Sequence, residues 1–212
     1  MKKKGLLIVV SGFAGTGKGT VMKGLLAKYS EQYALSVSMT TRKPRPMERH
    51  GIEYFFADKE TFEAKIAQDG FVEYACYCDN YYGTPKDYVE EQLNAGKDVL
   101  LEIEIQGALQ VKEKIPETVL VFIMPPSVPE LYGRLKGRGT ETDEVIRQRM
   151  LRASEESQGI EQYDYILVND DIDTCVESLH QMIQSEKQRA GRNTAFIENI
   201  RKEFVDLMKG EL

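Results

Sequence analysis

The sequence predicts an α/β fold with a parallel sheet core flanked by helices. Apolar runs typical of buried strands alternate with helical patterns along the 212 residues. The first apolar run, residues 6–10, leads directly into a glycine-rich loop and then into a helical pattern. The length and the 42% content of hydrophobic residues suffice for one large or multi-lobed domain with a sizeable core.

Composition and charge argue against several classes of protein. A formal net charge of −6 does not suit a general nucleic-acid binder, and no apolar run approaches the ~20 residues of a membrane span. Lys2 to Lys4 precede an apolar stretch, but that stretch ends in the glycine-rich loop and has no small-residue cleavage site. We therefore expect no signal peptide. The odd number of cysteines, 3, fits reduced thiols, so we expect a cytoplasmic protein.

The glycine-rich loop has the G-x-x-x-x-G-K spacing of a phosphate-binding loop. Glycines allow successive backbone N–H groups to turn around an anion, and the following helix N-terminus favours negative charge. The lysine adds a full charge for the outer phosphates. The predicted nucleotide-binding residues are Gly12, Phe13, Ala14, Gly15, Thr16, Gly17, Lys18, Gly19 and Thr20.

The loop departs from its pattern at one position that matters for metal binding. A Ser or Thr normally follows the lysine, and its hydroxyl contacts Mg²⁺. Gly19 stands there instead, followed by Thr20. Thr20 is therefore the metal-site candidate, through a bridging water.

Two groups of arginines are candidate anion sites. Arg42 and Arg45 lie on a segment stiffened by Pro44 and Pro46, which suits a clamp for a phosphate dianion. The second group surrounds a glycine-rich stretch at residues 137–139 and resembles a lid that closes over phosphates. For both groups the alternative is a set of solvated surface arginines. The second group contains Arg134, Arg138, Arg147, Arg149 and Arg152.

Two further local patterns define expected elements. Residues 98–105 form an apolar run that carries Glu102 and Glu104 near its C-terminal end, where ligands gather in such sheets. This run resembles a Walker B strand. Thr84 followed by Pro85 predicts the cap and first residue of a helix.

Taken in order, these motifs resemble the guanylate kinase family, whose members phosphorylate GMP. The resemblance covers roughly residues 5–185, and the block from Ser38 through Tyr54 is specific to the family. The matching stretches are SGFAGTGKGT, SVSMTTRKPRP, HGIEYFF, FVEYACY, NYYGT, LEIEIQGA, PPS, RLKGRGTET and VNDD.

The resemblance implies transfer of the γ-phosphoryl group of ATP to GMP, with Mg²⁺ as cofactor. It also implies a division of residues 1–187 into a core (1–37, 89–127 and 156–187), a GMP-binding lobe (38–88) and a mobile lid (128–155). Residues 188–212 form an amphipathic helical extension outside the family pattern. Its apolar stripe is expected to pack on the body or on another subunit, which leaves monomer and homodimer open.

The resemblance also implies roles for individual residues. The GMP phosphate would be held by Arg42, Arg45, Tyr54 and Tyr82. Guanine would be read by Ser38, Glu73 and Thr84, with Glu102 or Glu104 close by. Charge on the transferring group would be neutralised by Arg134, Arg138 and Arg149. Asn169 would lie near adenine, and Lys18 would hold the ATP phosphates.

The chemistry of these side chains agrees with the implied roles. Guanine offers N1–H and an amino group side by side, so one carboxylate can accept both hydrogen bonds. A phosphate oxygen is already largely ionised at neutral pH, so the acceptor requires no general base. Catalysis would depend on alignment and on electrostatic stabilisation.

The sequence departs from the family at four positions. Ala14 lacks a hydroxyl that the family usually has, Thr84 stands where Ser is common and keeps the hydroxyl, and Glu102 and Glu104 stand where Asp is common.

Two other functions compete with phosphoryl transfer to GMP. The first alternative is a guanylate-kinase-like binding module without turnover. The second is a P-loop GTPase, although the sequence has no N-K-x-D guanine motif.

Overall fold

The computed structural model describes residues 4–137, 139 and 141–210, so Arg138 lies outside the described residues. The described part contains nine strands and eight α-helices. The strands are β1 (Leu7–Gly12), β2 (Tyr33–Leu35), β3 (Met39–Thr40), β4 (Phe55–Phe56), β5 (Phe71–Tyr77), β6 (Asn80–Pro85), β7 (Asp98–Glu102), β8 (Val119–Met124) and β9 (Tyr165–Val168). The helices are α1 (Lys18–Lys28), α2 (Lys59–Ala67), α3 (Lys86–Asn94), α4 (Ile105–Lys114), α5 (Val128–Gly137), α6 (Asp143–Glu156), α7 (Ile172–Gln188) and α8 (Thr194–Lys209).

The main sheet has the strand order β2-β7-β1-β8-β9, and every neighbouring pair is parallel. The central strand β1 alternates between two hydrophobic clusters. Leu7 and Val9 belong to one cluster, and Ile8 and Val10 belong to the other. This alternation follows from the two-residue period of a strand buried on both faces. The predicted α/β class with a parallel core is confirmed.

A second sheet has the order β4-β3-β6-β5, in which β6 pairs antiparallel with β3 and with β5. Phe62 of α2 stacks against Phe71 of β5, with ring centroids 4.3 Å apart, and against Tyr81 of β6 at 5.2 Å. Phe62 and Phe71 are almost fully buried. This aromatic stack gives the second sheet an apolar support of its own, and several of the predicted GMP residues lie on its strands.

Two local predictions about element boundaries were wrong. Pro85 is the last residue of β6 with extended backbone, and α3 begins one residue later without a side-chain cap from Thr84. The hydroxyl of Thr84 is used by a carboxylate of β5 instead. The predicted strand 98–105 ends earlier, at Glu102, and its last predicted residue, Ile105, is the first residue of α4.

The C-terminal extension forms α8, whose apolar side chains face solvent in the described part of the chain. Phe196 is 62% exposed, Leu207 60% and Met208 86%. The expected packing of this stripe on the body is therefore not observed among the described residues. Across those residues, no helix combines the length and apolar character needed to cross a membrane.

Candidate active site

The phosphate-binding loop joins β1 to α1 at the C-terminal edge of the main sheet. Gly15 and Gly17 have φ angles of 93° and 83°, which belong to the left-handed region that favours glycine. Thr16 is buried, and its hydroxyl donates to the carbonyl oxygen of Phe13 at 2.9 Å. Within the described chain, no side chain caps the N-terminus of α1. The N–H groups of its first turn are thus available to an anion.

Lys18 lies across this loop. Its Nζ donates to the carbonyl oxygen of Gly12 at 2.6 Å and to that of Phe13 at 3.3 Å. The Phe13 side chain packs away from the loop, 5.0 Å from the ring of Phe122, so only its backbone belongs to the site. Gly19 and Thr20 form the first turn of α1, and the Thr20 side chain is exposed.

A cavity of about 620 Å³ opens beside the loop. The predicted residues that line it are Gly12, Ala14 and Lys18 of the loop, Glu102 at the end of β7, Glu104 just after it, and Arg149 and Arg152 of α6. Three chain segments that are far apart in sequence therefore meet here. The tertiary structure brings the predicted lysine, both predicted acids and two arginines of the predicted second group into one space.

The arginines around this cavity are paired with carboxylates. Arg149 Nη2 lies 2.7 Å from Glu141 Oε1, and Glu141 is largely buried. Arg152 lies on α6, within the predicted lid, and pairs with Glu104. Both partners of this second pair are mostly exposed, so its contribution to stability is small. The local sequence did not indicate either pairing.

Arg134 and Asn169 are joined to each other and to the loop. Arg134 donates from Nη1 to the backbone oxygen of Asn169 at 2.8 Å and from Nε to Glu130 Oε1 at 2.9 Å. Asn169 Nδ2 donates to the backbone oxygen of Thr16 at 2.7 Å. Asn169 is 1% exposed, and its Oδ1 is buried without a partner in the described residues. Asn169 therefore holds the backbone of the phosphate-binding loop through its hydrogen bond to Thr16.

Gly17 is a loop residue at which a side chain would cause strain. A Cβ there would lie 2.6 Å from Asn169 Nδ2, and the φ angle is left-handed. We expect Gly17→Ala to lower the free energy of unfolding by about 1–3 kcal/mol and to weaken ATP binding. Urea unfolding and ATP titration measure both effects.

Gly133 of α5 provides the control because a Cβ there meets nothing within 4 Å. Gly133→Ala should stabilise the protein by about 0.5–1 kcal/mol through its helix preference. Equal urea midpoints for wild type and Gly17→Ala would contradict the expected strain.

A second group of predicted residues lies on β5 and β6. The Thr84 hydroxyl donates to Glu73 Oε1 at 2.6 Å, and Glu73 is 9% exposed. Burial raises the pKa of Glu73 above its ordinary value, while the bonds from Thr84 partly oppose the shift. A Cβ on Gly107 would lie 3.9 Å from Glu73 Oε2, so this carboxylate faces the first turns of α4. The same helix begins at Ile105, which lines the cavity beside the loop.

The remaining predicted GMP residues surround Arg42. Its guanidinium carbon lies 5.4 Å from the ring centroid of Tyr54, and that ring lies 6.2 Å from the ring of Tyr82. The Arg45 side chain is exposed. Ser38 precedes β3, where its backbone oxygen accepts from the N–H of Phe55 at 2.9 Å. The structure brings Arg42, Tyr54 and Tyr82 together, as the resemblance implies.

Glu48 is a residue that the sequence reasoning missed. Its Oε1 accepts from Arg42 Nη2 at 2.9 Å, and its Oε2 accepts from the backbone N–H of Arg45 at 2.7 Å. These bonds lower the pKa of Glu48. A carboxylate thus contacts the two arginine positions that are predicted to hold a phosphate. An acid three residues after the second arginine was the available signal in the sequence.

The residues near the cavity are compatible with Mg²⁺. Carboxylate oxygens, water and phosphate oxygens are the ligands that Mg²⁺ prefers, and Glu102 and Glu104 supply exposed carboxylates beside Lys18. Among the described residues, no three His, Cys, Asp or Glu side chains group as a metal cage. A metal held mainly by nucleotide phosphates and water fits this donor set.

The phosphate-binding loop on a parallel sheet, with arginines and acids around one cavity, places the molecule among the P-loop phosphotransferases. A family model described as guanylate kinase matches residues 4–186. The chain therefore belongs to the guanylate kinase family, whose members are ATP:GMP phosphotransferases.

Individual relatives agree with this membership. A guanylate kinase of Latilactobacillus sakei is 50% identical over 91% of this chain and 95% of its own length. A guanylate kinase of Caldanaerobacter subterraneus is 49% identical over 97% and 99%. The crystal structure of guanylate kinase from Anaplasma phagocytophilum has a TM-score of 0.68 at 32% identity and covers 90% of each chain. No finding favours the non-catalytic alternative.

Proposed function

We propose that this chain transfers the γ-phosphoryl group of ATP to GMP and yields ADP and GDP. The single observation that carries the choice of guanine is Glu73, a buried carboxylate held by Thr84 on the second sheet. An ionised carboxylate accepts from guanine N1–H and the amino group together, whereas adenine presents a lone pair at N1. A buried polar site of this kind discriminates by roughly 10⁴ or more.

The donor nucleotide is proposed to bind at the phosphate-binding loop. The open N-terminus of α1 and the Lys18 ammonium attract the phosphates. Lys18 then exchanges its bonds to the carbonyl oxygens of Gly12 and Phe13 for phosphate oxygens. Asn169 contributes by holding the backbone of Thr16, and its buried Oδ1 is an acceptor that a base amino group could use.

The acceptor phosphate is proposed to bind at Arg42, Arg45, Tyr54 and Tyr82. Arg42 is held against the Tyr54 ring and by Glu48, so its guanidinium has a defined orientation. The guanidinium fork matches the geometry of a phosphate. Glu48 is therefore proposed to position Arg42 rather than to contact the substrate.

Charge on the transferring group is proposed to be neutralised by Lys18, Arg134, Arg138 and Arg149. Arg149 must exchange its contact with Glu141 for a phosphate oxygen, and we propose that this exchange accompanies closure of the lid residues 128–155. The proposed division into core, lobe and lid follows from the resemblance to the family. Bound Mg²⁺ would neutralise phosphate charge, with Glu102, Glu104 and Thr20 as protein groups that contact it directly or through water.

The test is an ADP-release assay with GMP, AMP, CMP and dTMP as acceptors. We expect turnover with GMP and very little with the other three. A preference for AMP or dTMP would defeat the proposed role of Glu73. GTP hydrolysis without an acceptor would favour a GTPase, and peptide binding without turnover would favour a binding module. We further propose a cytoplasmic location, which fits three free cysteines, two of them exposed.

A further inference from the structure

A fully buried hydroxyl follows the apolar run of the central strand. Ser11 of β1 comes directly after the apolar residues 6–10 and is 0% exposed. Burying a hydroxyl costs free energy unless it forms a hydrogen bond, so a buried serine is more informative than a buried valine. Ser11 Oγ donates to the backbone oxygen of Ile103 at 2.7 Å. The bond joins two segments that are 92 residues apart in the chain.

This bond lies where β1 and β7 separate. Val10 and Glu102 are the last paired residues of these two strands, whereas β1 continues beside β8 as far as Gly12. The carbonyl oxygen of Ile103 therefore lies just beyond the last backbone pair, and the Ser11 hydroxyl supplies it with a donor. Ligands of such sheets bind in the crevice outside the carboxyl ends of the strands. The bond thus lies at the inner end of this crevice.

The carbonyl belongs to the short segment that carries the two acids of the site. Glu102 and Glu104 flank Ile103, and all three residues line the cavity beside the phosphate-binding loop. The Ile103 side chain lies against α4, since a Cβ on Gly107 would be 3.5 Å from Ile103 Cδ1. Both acids are exposed, so the backbone between them sets where they lie. Ser11 holds that backbone at its middle residue.

Ser11 is also joined directly to the phosphate-binding loop. It precedes Gly12, whose carbonyl oxygen accepts from Lys18 Nζ at 2.6 Å. On its other side, Ser11 is paired with Phe122 of β8, which is fully buried. Because Ser11 is held on the central strand of the sheet, its hydroxyl holds Ile103 from a fixed position.

We propose that Ser11 is a positioning residue for phosphoryl transfer, whose hydroxyl keeps the segment of Glu102 and Glu104 at a fixed distance from the phosphate-binding loop. The inference rests on the proposed function, in which the loop binds ATP and the two acids lie near GMP and Mg²⁺. Since Ser11 is fully buried, it acts through the backbone of Ile103 and touches neither nucleotide. Alignment decides the rate of such a transfer, and a displacement of about 1 Å costs up to ~10²-fold.

The first measurement is hydrogen exchange of the free protein, followed by mass spectrometry of its peptides. Ser11→Ala removes the hydroxyl and adds nothing to the buried position. We expect exchange in residues 102–112 to become about 3- to 10-fold faster, as for the loss of one hydrogen bond. Exchange in β8, residues 119–124, should stay unchanged. Unchanged exchange in residues 102–112 would overturn the proposal.

The second measurement compares kcat for GMP-dependent ADP release with the Kd for ATP. We expect Ser11→Ala to lower kcat by about 10-fold, because the acids and the loop are no longer aligned. The Kd for ATP should stay close to that of the wild type, because the loop and Lys18 are intact. An unchanged kcat would overturn the proposal, and so would an equal loss of ATP affinity, which would locate the damage in the loop itself.

A double-mutant cycle tests whether Ser11 acts through the two acids. In the background Glu102→Gln, Glu104→Gln, the further loss of kcat on Ser11→Ala should be much smaller than in the wild type. A loss of the same size in both backgrounds would overturn the proposal. A wild type without GMP turnover would reject the proposed function, and hydrogen exchange would still decide whether Ser11 holds the segment.

Two control variants separate position from burial and from stability. Thr118→Val removes another fully buried hydroxyl, directly before β8 at the opposite end of the same sheet. Ile183→Val removes a methyl group from the buried face of α7 and should lower Tm. Both controls should keep the kcat of the wild type and its exchange in residues 102–112. A fall of kcat in either control as large as that of Ser11→Ala would contradict a specific role of Ser11.

Discussion

Replacing Lys18 by Met is expected to lower kcat for GMP-dependent ADP release by about 10²-fold or more. The ammonium lies at the loop between β1 and α1, where its bonds to Gly12 and Phe13 keep it beside the predicted phosphate site. Methionine keeps most of the side-chain length and removes the charge. The loss should appear mainly in kcat because charge on the phosphoryl group develops in the transition state.

Lys23→Met is the matched control for this prediction. Lys23 lies on the same helix, its side chain is exposed, and it takes no part in the proposed site. The same charge is removed from the molecule, so a general electrostatic effect would appear in both variants. Thermal unfolding of each variant checks the fold. Full activity of Lys18→Met would remove Lys18 from the mechanism.

Replacing Glu73 by Gln is expected to have opposite effects on function and on stability. An amide accepts one guanine hydrogen bond but presents an N–H group to the other donor. We expect kcat/KM for GMP to fall by roughly 10- to 100-fold, as for the loss of one charged hydrogen bond. The preference for GMP over AMP should fall as well. Steady-state kinetics with both acceptors measure these changes.

Stability without substrate should change in the other direction. Burial raises the pKa of Glu73 above its ordinary value of 4.5. Such a carboxyl contributes stability that is fully present below the unfolded pKa and is lost as the pH rises through the folded pKa. At pH 7, where Glu73 is ionised in the unfolded chain, burial of this carboxyl therefore lowers the stability of the folded protein, and Glu73→Gln should raise Tm. The gain should disappear as the pH falls below about 4.5.

Glu91→Gln provides the control because this carboxylate is exposed on α3. It should change neither the acceptor preference nor the pH dependence of Tm. A lower Tm of Glu73→Gln at pH 7 would contradict the expected cost of burying this carboxylate.

The phosphate-binding loop and the parallel core were predictable because the signals are local. The order of strand, glycine loop and helix between residues 6 and 28 follows from the pattern of neighbouring residues. The structure has β1, the loop and α1 there. The fully apolar run of β1 indicated burial on both faces, and the strand lies in the middle of the sheet. Periodicity and glycine placement suffice for such features.

The partners of the charged and polar side chains were decided only by the tertiary structure. Thr84 was expected to cap α3, but its hydroxyl bonds Glu73, since a buried carboxylate without a partner is more costly than an uncapped helix. Arg149 and Arg42 were expected to face phosphates, and they pair with Glu141 and Glu48. The sequence by itself therefore determined which elements form and which loop is predicted to bind an anion. Distant packing decided which side chains meet, because a side chain's partner depends on residues that no local pattern contains.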